Sequence, residues 1–291
     1  MTLDPAYLAF AAEAALAAGR IHQQYFRRQP AIRKKGPIDL VTEADLAAER
    51  DFRDRVARAF PGHVVLGEEA TPPPRLDSAI QPFSHSATQP FLDSGVDSAE
   101  DRAPSRCRWI IDPLDGTTNF AHGLAFFCVS IALEVDGRIE LGVVYDPVGE
   151  ELFTAERDGG ARLNGQPIAV SPCTDIIDGL LCTGFPYSIR ERRRRQVEVF
   201  AAFLGRARAV RRLGSAALDL CYVAAGRLDG FWEEQLHAWD MAAGALIVRE
   251  AGGRVTSYDD GPLDLFGGGQ IVASNGALHG AMLDVIGEAR G

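Results

Sequence analysis

A mixed α/β (α+β) chain of stacked helix and sheet layers is what this sequence predicts, on three observations. From Phe126 to Val170, apolar runs of strand length alternate with hairpin dipeptides: FFCVSIALEV, Asp136-Gly137, RIELGVVYDP, ELFTAE and then Asn164-Gly165. Beyond residue 176, helical and strand-like stretches alternate, with helices near 188–205, 215–226 and 240–251 and strands near 229–233, 253–258 and 270–273. No apolar run approaches the roughly 18–20 residues needed to span a bilayer, so these elements are expected to bury one another in layers.

The earlier part of the chain follows the same logic. Asp4 and Pro5 read as the N-cap and first residue of a helix. Thr42 reads as the N-cap of a second helix, with Asp45 in its first turn. His63–Glu69 (HVVLGEE) is a short β-branched strand that ends on two acids, and an apolar strand from Trp109 to Ile111 terminates on Asp112. Between them, residues 71–106 are rich in Pro, Ser, Asp and Ala with little periodicity, so a long surface loop or partly disordered insertion is expected, either a lid or decoration. No internal repeat is evident.

The composition narrows the function. A hydrophobic fraction of 46% with 24% charged residues is the balance of a globular protein with a real core. A net charge of −10 argues against nucleic acid or an anionic membrane as partner. It leaves anionic substrates open, because clustered carboxylates can hold cations that reverse the local sign. The five cysteines show no metal-site spacing, and the N-terminus lacks the basic start and apolar run of a signal peptide. Reduced thiols and a cytoplasmic location are the expectation.

Chemistry concentrates in Glu68, Glu69, Asp112, Asp115 and Asp240, four of which sit at or just past the end of an expected strand. In Asp112-Pro113-Leu114-Asp115-Gly116, Pro113 lacks an N–H and Gly116 permits a tight turn, so both carboxylates and the Leu114 carbonyl can face one small volume. Oxygen ligands without interleaved His or Cys suit Mg²⁺ or Mn²⁺ rather than zinc. Taken singly, each motif also fits a turn or a solvated acidic pair, so spacing alone leaves that alternative open.

The run Trp109–Phe120 (WIIDPLDGTTNF) resembles the first signature of the inositol monophosphatase family, and Trp239-Asp240 through Gly244 to Glu250–Gly253 resembles its second. DLVTEAD at 39–45, GEE at 67–69 and GSAA at 214–217 are similar to further segments of that family in the same order. The resemblance implies a single catalytic domain over 1–291 with an αβαβα sandwich, an α+β part to about 175 and an α/β part from about 176. It implies Glu68, Asp112, Asp115, Asp240 and the Leu114 carbonyl as ligands of two or three Mg²⁺ ions, with Mn²⁺ able to substitute. Asp45 and Thr117 would orient the attacking water, with Glu69 behind the metal ligands or itself an outer ligand. Gly116, Thr117, Gly214, Ser215, Ala216, Glu233 and Asp240 would contact substrate, Glu233 through polyol hydroxyls. The implied activity is hydrolysis of a small polyol or sugar phosphate, inositol 1-phosphate first, by a lithium-sensitive homodimer. The insertion at 71–106 departs from the family pattern beside this site.

Two other readings stay in play. One is a related phosphatase acting on fructose-1,6-bisphosphate, histidinol phosphate or a nucleotide 3′-phosphate. The other is a regulatory protein with an RNA or transcription partner, using the basic run Arg190–Arg195 together with Arg206, Arg208, Arg211 and Arg212. The simpler account of those arginines is a solvated face with local salt bridges. His237 reads as a structural hydrogen-bonder.

Overall fold

The hairpin block expected between residues 126 and 170 forms the spine of the larger of two sheets. In a computed structural model that describes residues 3–26, 32–34, 40–69, 107–186 and 188–290, it supplies β5 (Cys128–Val135), β6 (Arg138–Asp146), β7 (Glu151–Glu156), β8 (Gly160–Leu163) and β9 (Gln166–Pro167). Asp136-Gly137 and Asn164-Gly165 have positive φ at both positions (50° and 79°, 49° and 78°), the backbone that matches a two-residue turn to right-handed strand twist. β4 (Cys107–Asp115) joins this antiparallel block at one edge, and β3 (Val64–Gly67) pairs parallel to β4, closing a seven-stranded sheet in the order β3-β4-β5-β6-β7-β8-β9. The insertion expected at 71–106 lies outside the described residues.

The second sheet has the order β11-β10-β12-β14-β13, from β10 (Leu180–Thr183), β11 (Ala209–Arg211), β12 (Gly230–Glu233), β13 (Arg254–Thr256) and β14 (Ile271–Ser274). Helices α1 (Pro5–Phe26) and α2 (Glu43–Ala59) cover the outer face of the large sheet, burying Ala11, Ala15, Ala18, Phe52 and Val56 against Trp109, Ile111 and Ile131. Between the sheets lie α5 (Ala216–Ala224) and α6 (Ala238–Glu250); α6 is apolar nearly all round because it is covered on every side. Helices α4 (Ile189–Leu204) and α7 (His279–Arg290) close the far face of the small sheet over Leu181, Trp232 and Val272. The layers run αβαβα. The short elements β1 (Ile32–Lys34), β2 (Leu40–Thr42) and α3 (Thr117–Ala121) complete the fold.

Several elements differ from expectation. β10, β11, α3, α7 and the β1–β2 pair were not foreseen, and the strand expected over 253–258 is confined to Arg254–Thr256. β10, β11 and β1 are three or four residues long, too short for a periodic signal. The strand expected to stop at Asp112 runs on to Asp115. The helix starts agree: Ala6 N–H donates to Asp4 Oδ1 (2.9 Å), and Thr42 caps α2. Among the described residues, no helix is long and apolar enough to cross a membrane.

The central layer sits close to the large sheet because Gly142 of β6 lacks a side chain: a Cβ there would stand 2.8 Å from the Ala243 carbonyl oxygen and 3.0 Å from its Cα. Backbone on both sides leaves nothing flexible to give way. Gly142→Ala is therefore expected to lower unfolding free energy by about 1–3 kcal/mol through overpacking, read as a fall in urea midpoint at unchanged m-value.

Candidate metal centre

Asp112 and Asp115 are three residues apart, which in a regular strand would point them to opposite faces. They converge because β4 carries a bulge between them. Asp112 pairs with Ser130 and Asp115 with Cys128, so three steps on β4 meet two on β5. Pro113, with no N–H to lose, sits inside that bulge. Asp240 arrives from the first turn of α6, where it accepts the His237 N–H (2.6 Å). Ser130, opposite Asp112, donates to the Trp239 carbonyl (3.0 Å) and so ties the start of α6 to the same strand position. One carboxylate oxygen from each of Asp112, Asp115 and Asp240 lies within 4.8 Å of the others.

Each acid is held by different chemistry. The Leu114 N–H donates to Asp112 Oδ1 (2.9 Å). Asp115 Oδ2 accepts from Ser215 Oγ (2.8 Å) and the Ala217 N–H (2.7 Å), so it rests on the positive end of α5. On α2, Asp45 closes a capping box with Thr42, accepting its N–H (2.9 Å) and its hydroxyl. Thr117 Oγ1 stands 3.1 Å from Asp45 Oδ1 and 2.9 Å from the Leu114 carbonyl oxygen. Glu49 of α2, paired with Arg53, accepts the Glu69 N–H (2.7 Å) and so fixes the Glu68-Glu69 turn after β3.

Crowding like charges under cover shifts their protonation. Burial pushes the Asp45 carboxyl up to about 6. Burial does the same to Asp115, also to about 6, against the opposing pull of the Ala217 and Ser215 hydrogen bonds. Burial first, and then neighbouring carboxylates, raise Asp112 and Asp240 well above the usual range. Oxygen donors this close, buried and proton-retaining without a cation, fit a hard divalent ion. Glu68 lines the same cavity and its charge acts on all four of these acids, although it stands outside the 4.8 Å set.

The cluster lines a cavity of about 670 Å³. Glu68, Glu69, Asp112, Leu114, Asp115, Gly116, Thr117, Gly214, Ser215, Ala216, Glu233 and Asp240 all line it; Asp45 reaches it through Thr117. Gly116 holds φ 97°, and a Cβ there would stand 2.9 Å from the Phe126 carbonyl oxygen. The Ser215 hydroxyl, expected to face substrate, is engaged by Asp115 and by the Leu218 N–H at the start of α5.

Residues with no local signal complete the wall. Gly184 leaves the space that Glu233 occupies, since a Cβ there would lie 2.0 Å from Glu233 Oε2. Asp219 of α5 is buried with Oδ1 unpartnered among the described residues. Arg212, grouped by sequence with the solvated basic patch, instead lines the cavity; burial raises Asp219 and Glu233 well above the usual carboxylate range, and the Arg212 charge only opposes that rise. It leaves the patch because the segment after β11 turns into the site. Arg194, Arg206 and Arg208 pair with Glu198, Glu288 and Asp178 on the surface. His237 stacks on Trp239 at 4.7 Å. The five thiols are free.

The inositol monophosphatase family profile matches residues 4–290. An inositol-1-monophosphatase of Mesorhizobium japonicum is 40% identical over 94% of this chain and 93% of its own. A protein of Pseudomonas aeruginosa named Nus factor SuhB is 40% identical over 88% of this chain and 85% of its own. The solved structure of inositol monophosphatase from Anabaena superposes with a TM-score of 0.79 at 37% identity, covering 97% of this chain and 96% of that one.

The raised carboxyls make cation binding a function of pH. Asp45 and Asp115 titrate near 3.8 unfolded and about 6 folded. Between those values the cation-free folded state holds more protons, so their stabilising contribution is full at low pH and is lost as pH rises through about 6. A cation that binds the ionised cluster acts in the opposite sense. The Mg²⁺-induced gain in melting temperature should accordingly be small at pH 5 and grow toward pH 8, where 100-fold excess over Kd corresponds to about 2.7 kcal/mol. Scanning fluorimetry in Mg²⁺ and in EDTA across that range measures it; a gain independent of pH would contradict the assignment.

Proposed function

The chain belongs to the inositol monophosphatase family, and on that premise we propose that it is a magnesium-dependent phosphomonoesterase acting on a small polyol phosphate, inositol 1-phosphate first. The observation that carries this reading is the cavity itself, which the carboxylate cluster shares with two further acids, Glu233 of β12 and Asp219 of α5. Burial raises the Glu233 carboxyl well above its usual range, and a carboxyl in that place suits the hydroxyls of a polyol rather than its phosphate.

In this reading Glu68, Asp112, Asp115, Asp240 and the Leu114 carbonyl hold two or three Mg²⁺ ions, with Mn²⁺ as a substitute. Bound magnesium supplies positive charge to the phosphate oxygens and lowers the pKa of water at the site. Thr117 Oγ1, its hydrogen directed at Asp45 or the Leu114 carbonyl, keeps lone pairs free to accept from the attacking water and align it. Asp45, ionised above about pH 6, takes the proton through Thr117. Glu69 supports Glu68 from behind. Gly116 and Thr117 border the phosphate, Gly214, Ser215 and Ala216 form the wall along the ring, and Glu233 accepts its hydroxyls. We extend the proposal to one catalytic domain working as a cytoplasmic homodimer and inhibited by millimolar lithium.

A second reading deserves a test because relatives named Nus factor SuhB match as well as those named for the phosphatase. A regulatory partner would be revealed by salt-dependent capture of RNA or polymerase by the purified chain. Within the enzyme class, turnover of a panel of sugar, polyol and nucleotide phosphates ranks inositol 1-phosphate against fructose-1,6-bisphosphate, histidinol phosphate and nucleotide 3′-phosphates.

Asp115→Asn should keep the fold and lose ~10³-fold or more in kcat/KM, since an amide cannot supply the charge that holds a cation. EDTA should abolish activity and Mg²⁺ restore it. A variant within fivefold of wild type would remove Asp115 from the metal set.

Glu233→Ala should lower kcat/KM on inositol 1-phosphate by ~10–100-fold while sparing a phosphate ester without the ring. Equal loss on both substrates would assign Glu233 to the metals or the fold.

A further inference from the structure

The acidic turn of β4 is also touched from behind, by a residue near the far end of α1. His22 is fully buried, and its Nε2 stands 2.7 Å from the Pro113 carbonyl oxygen. A carbonyl can only accept, so Nε2 carries the hydrogen and Nδ1 is left as a bare lone pair. That lone pair is buried with no partner among the described residues. The ring packs edgewise on Phe120 and Phe127, at 6.2 and 6.0 Å. Burial lowers its pKa to about 4, which keeps it neutral.

An aliphatic side chain would fill this apolar niche without an unsatisfied nitrogen. What histidine adds is the bond to Pro113. The same peptide unit is held at its other end, because the Leu114 N–H donates to Asp112 Oδ1 (2.9 Å). A peptide group is planar and rigid, so gripping its oxygen sets the direction of its N–H. Polarising the carbonyl also strengthens the N–H as a donor.

We propose that His22 is a positioning residue that acts through the Pro113–Leu114 peptide to orient the Asp112 carboxylate and so tunes the cation affinity of the cluster. This rests on the metal role proposed for Asp112. The device is built from one helix and one strand bulge, which meet here behind the site. It explains a buried imidazole that the chemistry itself does not use.

The test is a calorimetric titration of the full-length protein with Mn²⁺, comparing wild type, His22→Leu and His22→Gln. Leucine removes the donor at similar bulk, whereas glutamine retains one. His22→Leu should bind about 5–10-fold more weakly and His22→Gln within about twofold of wild type. In kinetics, the Mg²⁺ concentration for half-maximal rate should rise in His22→Leu while kcat at saturating Mg²⁺ holds within about twofold. Equal affinity in all three proteins overturns the proposal, and equal weakening in both variants overturns it in favour of packing alone. Asp112→Asn serves as the separate control: if it binds Mn²⁺ like wild type, the metal role of Asp112 is wrong, whatever His22 does. Should His22→Leu not fold, nitrogen NMR of the wild type decides, because a neutral ring protonated on Nδ1 rather than Nε2 is incompatible with the bond to Pro113.

Discussion

Mutual repulsion among buried carboxylates is the constraint on which this structure turns. Asp112, Asp115 and Asp240 bring oxygens within 4.8 Å of one another in surroundings that strip away most of their water. Left alone, the cluster relieves itself by keeping protons; supplied with a divalent cation, it has no need to. The fold must resist that repulsion, and rigid backbone does much of that work. Among the described residues, the bulge of β4, the start of α5 and the first turn of α6 each grip one acid through main-chain N–H groups.

These grips are costly to build from separate pieces, which accounts for the layered architecture. The bulge belongs to the large sheet, the two helix starts belong to the central layer, and Glu233 hangs from the end of a strand in the small sheet. Packing the central helices against both sheets is therefore the same act as assembling the site. Glycines appear where that packing leaves no room for a Cβ: Gly142 beneath α6, and Gly184 beside Glu233. Stability and function are coupled at those points, since a methyl group at either would push on the elements that aim the acids.

Much of this was legible in the chain. Asp-Gly and Asn-Gly dipeptides between apolar runs located the hairpins because their positive φ is a local property of those residues. The capping signals at Asp4 and Thr42 were legible for the same reason. β10 and β11 were not, since strands of four and three residues carry no period of their own and exist only because neighbours pair with them. The extra residue of the bulge was equally silent: a tight turn was expected over residues 112–116, where the strand instead runs on through a bulge that accommodates Pro113.

By itself, then, the sequence determined the types of the longer elements, the hairpin turns and the set of acids available, because turn chemistry, capping and hydrophobic period act over a few residues. The order of its motifs was enough to indicate the family. Tertiary structure decided which residues meet. Arg212 left the basic surface for the cavity, Asp219 was buried beside it, Ser215 turned its hydroxyl to Asp115, and His22 reached Pro113 across 91 residues of chain. Those outcomes depend on the angle and depth at which whole layers pack, and contacts between residues distant in sequence leave no local signal.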